Sequence, residues 1–241
     1  MVRATIDPAI VRALGDRLGT RAHERTLPLV DALAQVVPGA ALVRGQVVAV
    51  RGVADMSLAL AVAGQATRNG SWLAAVEHRG TFEFSPEAAV ELGIALERMV
   101  VVTTPPGNAP GAVEVVAALI EGFDVVIVPG HAPLAPTAVR RLRARLRIRG
   151  GVVVVVGGHG GWQPDLVLCS TTGGPCGGWE PLEENGRLCR RRVVIEVDAR
   201  RQGAPVRHVF WLPTADGSIA AVPSDIARSV VSAGGSIAHV G

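Results

Sequence analysis

Residues 43–60 read VRGQVVAVRGVADMSLAL, and the rest of the fold can be worked out from this stretch. The apolar run Gln46–Arg51 is typical of a buried strand, and Gly52 follows it as a tight turn. An Ala- and Leu-rich helix is predicted next, over Ser57–Arg68, and it stops at Asn69-Gly70. A strand, a turn and a helix in this order begin a parallel α/β unit.

The same alternation continues along the chain. Four further strands are predicted at Trp72–Glu77, Met99–Thr103, Asp124–Val128 and Val152–Val156. Helices are predicted between them at Pro86–Ala95, Gly111–Ile120 and Pro136–Ile148. The run of five valines at 152–156 has no polar alternation, which is typical of a strand covered on both faces. The sequence therefore predicts an α/β fold with a mostly parallel sheet and helices on both faces.

Segments of different character flank this core. Ile6–Val37 is predicted to be helical, with an interruption at Thr26-Leu27-Pro28 and a second helix over Leu29–Val37. After Gly157-Gly158, short strands are predicted at Asp165–Ser170, Arg191–Asp198 and Val206–Leu212, and the last two form a hairpin. We therefore expect an N-terminal helical extension (1–38), a core with a C-terminal β-hairpin (39–214) and a flexible tail (215–241).

The composition excludes several classes of protein. All 24 basic side chains are arginine, so chemistry that needs a lysine ammonium group has no residue to perform it. Cys169, Cys176 and Cys189 form no C-x-x-C pair, which favours neither a disulfide framework nor a zinc site. The apolar runs are far shorter than the roughly 20 residues of a membrane-spanning helix, and the charged N-terminus is unlike a signal peptide. A soluble, cytoplasmic protein without a metal is expected.

The ordered series of elements resembles the bacterial recombinase RecA. Val43–Gly52 followed by Ser57–Leu60 is similar to the RecA strand that enters the phosphate-binding loop and to the helix after it. Further segments match in the RecA order: Trp72–His78 resembles the strand that ends in the catalytic Glu, Ala89–Thr104 the helix and strand after it, and Phe123–Val128 the Walker B strand. The resemblance implies a RecA-like fold.

The residues that bind ATP in such proteins are missing. A phosphate-binding loop reads G-x-x-x-x-G-K-[ST], in which backbone N–H groups surround the phosphates, the Lys neutralises them and the hydroxyl holds Mg²⁺. Here only four residues separate Gly52 from Ser57, and the second Gly and the Lys are absent. Asp55 also places a negative charge where the anion would lie, with a repulsion on the order of kcal/mol. We therefore predict a degenerate loop at Gly52 and Ser57, no nucleotide cofactor and no ATPase activity.

The other catalytic positions are altered as well. Phe123–Pro129 ends in Val-Pro, so Asp124 lies at the opposite end of the strand from the Walker B Asp that supports Mg²⁺. The next strand runs into Gly157-Gly158-His159 and has no polar residue at its end. Glu77, next to His78, is left at a catalytic position; alternatively it is a polar residue at a strand end. No catalytic residue is expected.

The sequence is further similar to the ImuA family in its actinobacterial form. The matching phrases are Leu27-Pro28, SWLAAV (71–76), AAVELGIALERMVVV (88–102), RRVVIEVDARR (191–201) and FWLPTADG (210–217). This resemblance implies an accessory factor of SOS-induced mutagenic translesion DNA synthesis. Such a factor works with ImuB, a Y-family-like protein without polymerase activity, and with an error-prone replicative-type DNA polymerase.

Two other functions are open. The chain could be a relative of the cell-division inhibitor SulA, which binds FtsZ; the N-terminal extension and the C-terminal hairpin argue against this. It could also be a DNA-dependent ATPase with a divergent loop; the missing Lys argues against that.

Pro136–Ile148 is predicted to be a basic helix. Its arginines, with the one directly after it, are Arg140, Arg141, Arg143, Arg145, Arg147 and Arg149. An apolar stripe is formed by Ala135, Val139, Leu142 and Leu146, and the arginines occupy most of the remaining circumference without an acidic neighbour. We expect a docking face for an acidic partner or for DNA; the alternative is a solvated surface. The net charge of only +3 favours a protein partner.

Weaker signals allow two interpretations each. Arg190–Arg192 and Arg200-Arg201 could extend a basic surface or keep an edge strand soluble. Trp162, Trp179 and Trp211 could stack on bases, anchor a partner or fill the core. The N-terminal extension could dock on a second copy in a homo-oligomer or cover its own sheet.

Overall fold

The structure, a computed structural model, describes residues 2–5, 25–78, 83–104, 111–131, 134–174, 176–181, 188–200, 203–223 and 226–227. In chain order their strands are β1 Val2–Thr5, β2 Thr26–Pro28, β3 Ala41–Val43, β4 Val47–Gly52, β5 Leu73–His78, β6 Met99–Thr104, β7 Val125–Pro129, β8 Val152–Val156, β9 Leu166–Thr172, β10 Trp179–Pro181, β11 Leu188–Ala199, β12 Val206–Trp211 and β13 Ala220–Ala221. The helices are α1 Asp31–Ala34, α2 Asp55–Arg68, α3 Pro86–Glu91, α4 Ala112–Gly122 and α5 Pro136–Arg149.

Eleven of these strands form one sheet in the order β1-β6-β5-β7-β8-β4-β9-β11-β12-β13, with β10 paired to β11. From β1 to β9 every neighbouring pair is parallel. Beyond β9 the pairs are antiparallel. The predicted parallel core and the predicted C-terminal hairpin, here β11 and β12, are both confirmed.

Two apolar cores lie on the two faces of the sheet. Because side chains alternate along a strand, Val153 and Val155 of β8 lie in one core, and Val152, Val154 and Val156 lie in the other. The first of these cores is closed by α4 and α5, and the second by α1, α2 and α3. The strands β5 and β8 are both buried along their whole length, and the five valines of β8 predict this for that strand.

Local sequence sets the bounds of the helices on which the site depends. α5 begins with Pro136. Proline suits this first position because a backbone N–H there would have no partner within the helix. It ends at Arg149, and the next residue, Gly150, has a φ of +75° and donates its N–H to the carbonyl of Leu146 at 2.8 Å. The hydroxyl of Ser85 caps α3 by accepting the N–H of Ala88 at 3.2 Å.

The N-terminal prediction needs correction where the structure describes it. Val2–Thr5 is a strand that pairs with β6, and Thr26–Pro28 is a strand that pairs with β3. The helix predicted over Leu29–Val37 is reduced to α1, because Leu29, Leu33 and Val37 are held by packing into the core and the chain turns at Pro38-Gly39. Residues 6–24 lie outside the described residues.

The predicted flexible tail is ordered at its start. Ala220–Ala221 pairs with β12, and Val222 is buried with Val209 and Trp211. Residues 228–241 lie outside the described residues. Within the described part of the chain, no helix has the length and apolar character needed to span a membrane.

Candidate functional site

The turn between β4 and α2 lies at the carboxyl edge of the parallel strands, where α/β sheets bind their ligands. Gly52 is the last residue of β4, Val53-Ala54 form the turn and Asp55 begins α2. This turn is the degenerate loop predicted at Gly52 and Ser57, with Ser57 in the first turn of α2. The strand β4 has β8 on one side and β9 on the other.

Ser170 of β9 closes this turn from the neighbouring strand. Its carbonyl accepts the N–H of Val53 at 3.1 Å, and its hydroxyl accepts the N–H of Ala54 at 3.0 Å. The same hydroxyl donates to the carbonyl of Arg51 at 3.1 Å, and Ser170 is only 1% exposed. A phosphate-binding loop points such backbone N–H groups at its ligand. Here both groups are already bonded within the protein.

Gly52 is required by this closure. Its φ of +106° is a conformation that L side chains rarely adopt. A Cβ at this position would also collide with the carbonyl oxygen of Ser170. The glycine therefore serves the close approach of β9 to the turn.

Asp55 supplies a negative charge at the beginning of α2. Its Oδ1 accepts the N–H of Met56 at 2.7 Å. A Cβ on Gly157, just after β8, would lie 3.5 Å from Asp55 Oδ2, so the carboxylate lies between the helix and that strand end. A carboxylate is favourable at a helix N-terminus.

Arg191 holds the same turn from the C-terminal strands. Its Nη1 donates to the carbonyl of Val53 at 2.8 Å, and its Nε donates to the carbonyl of Gly177 at 3.0 Å. Its guanidinium carbon lies 5.6 Å from the ring centre of Trp179. The turn is therefore bonded on its N–H side to β9 and on its carbonyl side to β11.

Asp124 has a structural position at the amino end of β7. It accepts Nη1 of Arg44 at 2.8 Å and the N–H of Trp72 at 2.9 Å. At the carboxyl end of β7, a Cβ on Gly130 would lie 2.6 Å from the carbonyl oxygen of Gly158. A contact between two glycines therefore joins β7 and β8 where a Walker B carboxylate would face Mg²⁺.

Glu77 and His78 are buried at the carboxyl end of β5. The hydroxyl of Thr103 donates to Glu77 Oε1 at 3.0 Å, and that of Thr104 donates to the carbonyl of Glu77 at 3.3 Å. His78 Nδ1 lies 2.7 Å from the hydroxyl oxygen of Thr104 and shares a hydrogen bond with it. Burial lowers the pKa of His78, and His131, whose ring centre is 5.2 Å away, lowers it further.

A mostly apolar pocket lies beside His78. It encloses about 480 Å³, part of it open solvent. Its walls include Val76, Val116, Leu134 and Trp162. Since β7 and β8 separate β5 from β4, His78 at the end of β5 lies three strand spacings, about 14 Å, along the sheet from β4. The two places are separate sites on one edge.

The six arginines predicted as contact residues do not form one surface. Arg143 donates from Nη2 to both carboxylate oxygens of Asp165, at 2.9 and 3.0 Å, and its side chain is only 11% exposed. Arg145 lies 3.4 Å from Glu121 of α4. The expectation that no acidic neighbour offsets these charges is therefore wrong for two of them, because the acids come from other elements. The exposed members are Arg140, Arg141, Arg145, Arg147 and Arg149.

The remaining sequence signals have structural positions. Trp162 and Trp211 are buried, and the guanidinium carbon of Arg190 lies 4.3 Å from the ring centre of Trp211. Core packing therefore accounts for these two tryptophans. Among the described residues, no group of three or more His, Cys, Asp or Glu side chains could hold a metal ion.

Sequence reasoning missed Ser170 and Arg191. A signal for Ser170 was present, because Leu166, Leu168 and Ser170 alternate on one face and all three are buried. A hydroxyl at an inward position needs a hydrogen-bond partner, and the turn supplies it. No comparable signal points to Arg191, which is one of three consecutive arginines.

The sheet order defines a RecA-like α/β fold, and the turn after β4 is bonded internally to β9 and β11. The solved structure of the RadB recombinase is similar, with 17% sequence identity and a TM-score of 0.50, over 75% of this chain and 92% of that chain. At this identity the likeness shows the fold alone. The chain belongs to the MT3502 N-terminal domain family, which matches residues 35–164. No curated protein matches the sequence.

Proposed function

We propose that the protein is a non-catalytic adaptor of SOS-induced mutagenic DNA synthesis. In this role it docks an ImuB-type Y-family-like protein and an error-prone replicative-type polymerase, and it does not hydrolyse ATP. The resemblance of residues 88–102 and 191–201 to the ImuA family supports the pathway. The closed turn at Gly52 supports the absence of catalysis.

The observation that carries the proposal is the bonding of the turn to Ser170. For ATP to bind in the usual mode, the N–H groups of Val53 and Ala54 would have to leave Ser170, and each lost hydrogen bond costs about 1 kcal/mol net. The phosphates would then face the carboxylate of Asp55 with no lysine in the chain to offset it. A RecA-like domain whose turn after β4 is closed still has its outer surfaces. Contact with other proteins is the function that these surfaces support.

Titration calorimetry with ATP and ADP, with and without Mg²⁺, tests the nucleotide half of the proposal. We expect no binding in the micromolar range. The variant Asp55→Asn separates charge from geometry: it removes the negative charge but leaves the turn bonded to Ser170, so it should not bind either. Mg²⁺-dependent binding by the wild-type protein at micromolar concentration would contradict the proposal.

A pull-down with two purified candidates tests the adaptor half. We expect the protein to retain the ImuB-type protein encoded in the same genome and not the division protein FtsZ. Retention of FtsZ alone would favour the SulA-like alternative. Retention of neither would contradict the adaptor role, provided that circular dichroism shows the bait to be folded.

A further inference from the structure

A second stripe of residues runs along the outer side of α5. The buried stripe of this helix is Val139, Leu142 and Leu146. On the opposite side, four exposed residues follow each other at spacings of four, three and four, and we call them the crest: Thr137, Arg141, Ala144 and Ile148. Ile148 is 83% exposed, more than any other large apolar side chain in the described residues. A lone exposed apolar residue is ordinary, but Ile148 is one of four exposed residues in a regular stripe.

The crest has the spacing of the a and d positions of a heptad. At 100° per residue, its four members fall within about 60° of each other on the helix circumference. In this register Arg140 and Arg147 occupy g positions, and Arg145 occupies the e position between them. In paired helices, e and g residues form salt bridges with the partner helix and determine its charge. Three of the four flanking e and g positions of α5, all but Ala138, are arginine and therefore select for acid.

The charges of the crest and its flanks are poorly balanced within the protein. No ion pair joins Arg140, Arg141 or Arg147 to an acidic side chain among the described residues. Arg141, Arg145 and Arg149 also follow each other at i, i+4, where like charges weaken a helix. An acidic partner along this side would relieve that repulsion.

A second exposed apolar residue lies at the same end of the molecule. Val43 is 53% exposed. The next residue, Arg44, donates to the carbonyl of Gly150 at 3.0 Å, directly after α5. Val43 and Ile148 therefore both belong to the region around the C-terminal end of α5.

We propose that the crest of α5 docks an amphipathic helix of a partner protein that carries Glu or Asp opposite Arg140, Arg145 and Arg147. The small side chains of Thr137 and Ala144 allow a helix to approach closely, and Ile148 is the apolar anchor. The 14 residues of α5 span about 21 Å, which is enough for a contact of several turns. The inference rests on the proposed function, because it names the surface by which the adaptor holds its ImuB-type partner.

Two other occupants fit the crest less well. Nucleic-acid phosphates would pair with the arginines but would gain nothing from Ile148 or Ala144. A second copy of α5 would place arginine against arginine. The combination of apolar, small and cationic residues in one heptad register is complementary to an acidic helix.

A synthetic three-heptad peptide with Leu at a and d and Glu at every e and g position is the probe, with binding followed by fluorescence anisotropy. The test variants are Ile148→Asn, which keeps the charge, and the double variant Arg140→Glu/Arg147→Glu. The matched controls are Val90→Asn, an exposed apolar residue on α3, and Arg149→Glu, which lies outside the crest and its flanks. We expect both test variants to bind at least about tenfold more weakly than wild type, while both controls bind as wild type does.

Parallel measurements with duplex DNA and with the ImuB-type protein decide between occupants. If Ile148→Asn binds the peptide normally and the double reversal loses duplex DNA, the surface binds nucleic acid and the proposal is wrong. Equal peptide binding by all variants would show a solvated helix and also overturn it. A wild-type dimer in sedimentation that Ile148→Asn abolishes would assign the crest to a second copy.

Measurements with the ImuB-type protein distinguish failure of the crest proposal from failure of the proposed function. If that protein binds wild type and crest variants equally, the crest proposal fails while the proposed function stands. If wild type binds the peptide but not that protein, only the proposed function fails.

Discussion

The N–H group of Ala54 donates to the hydroxyl of Ser170 at 3.0 Å, and this bond joins residues 116 positions apart in the chain. It belongs to a group of three bonds, since Ser170 also accepts the N–H of Val53 and donates to the carbonyl of Arg51. In a nucleotide-binding relative, phosphate oxygens would satisfy the N–H groups at this place. In this protein the neighbouring strand β9 satisfies these N–H groups through Ser170, so the hydrogen bonds of the turn need no ligand.

Replacing Ser170 with Ala should lower the free energy of unfolding by about 1–3 kcal/mol. The buried N–H of Ala54 and the partly buried carbonyl of Arg51 would each lose a partner. Urea denaturation followed by circular dichroism measures the change. Thr172→Ala, at the exposed end of the same strand, is the control. A loss no larger than that of the control would show that the hydroxyl does not hold the turn. ATP binding should remain absent, because the carbonyl of Ser170 still holds Val53.

The parallel core was predictable because local sequence and burial agree there. A continuous apolar run such as Val152–Val156 is favourable only as a strand covered on both faces. The Gly and Pro residues between such runs mark the turns. The N-terminal strands were not predictable in this way. Val2–Thr5 pairs with β6, nearly a hundred positions later, and its apolar–polar alternation spans only four residues, the shortest run that indicates a strand.

The site was predictable in what it lacks and not in what replaces it. The missing Lys and the shortened loop can be counted in the sequence. The hydrogen bonds that close the turn depend on which strand lies beside β4, and strand order is a long-range property. The division of the arginines on α5 has the same origin, because Asp165 and Glu121 are neighbours of the helix only in the folded chain.

Replacing Arg44 with Met should lower the free energy of unfolding by about 3 kcal/mol, because it leaves the carboxylate of Asp124 buried without its cation. The side chains of both residues are less than a tenth exposed. Chemical denaturation of Arg44→Met, compared with the exposed control Arg141→Met, measures the effect. The double variant Arg44→Met/Asp124→Asn should recover part of the loss, since a neutral amide still accepts the N–H of Trp72. No recovery would mean that Arg44 acts through packing alone.

Stability should fall in mild acid, in part through His78. Burial and then His131 lower the pKa of His78 below 6.5 in the folded protein. The unfolded chain therefore binds the proton more readily, so this contribution is complete above about pH 6.5 and declines as the pH falls below it. Urea unfolding between about pH 5 and pH 8 measures this. The free energy of unfolding should decline less steeply toward low pH for His78→Gln than for wild type. Burial also lowers the pKa of His208, so some decline should remain, and a variant curve that matches wild type would exclude a role of His78.

Arg143 and Arg140 lie on the same side of α5, one turn apart. Comparing their variants separates an effect on stability from an effect on binding. Arg143 forms an ion pair with Asp165 and also donates to the carbonyl of Gln163. Asp165 in turn accepts the N–H of Val47 at 2.9 Å. Arg143→Glu would set two carboxylates against each other at the start of β9, and we expect it to lower the free energy of unfolding by about 2 kcal/mol or more. Arg140→Glu is an exposed change and should stay within about 0.5 kcal/mol of wild type.

The binding data should show the opposite order for the same two variants. Arg140→Glu should weaken the acidic-helix peptide while leaving the melting curve in place. Arg143→Glu, measured well below its melting temperature, should bind the peptide nearly as wild type does, since Arg143 faces the sheet and not the crest. If Arg140→Glu destabilises the fold as much as Arg143→Glu, then Arg140 already has an acidic partner within its own chain. In that case the flank that it shares with Arg147 is not available to a second protein.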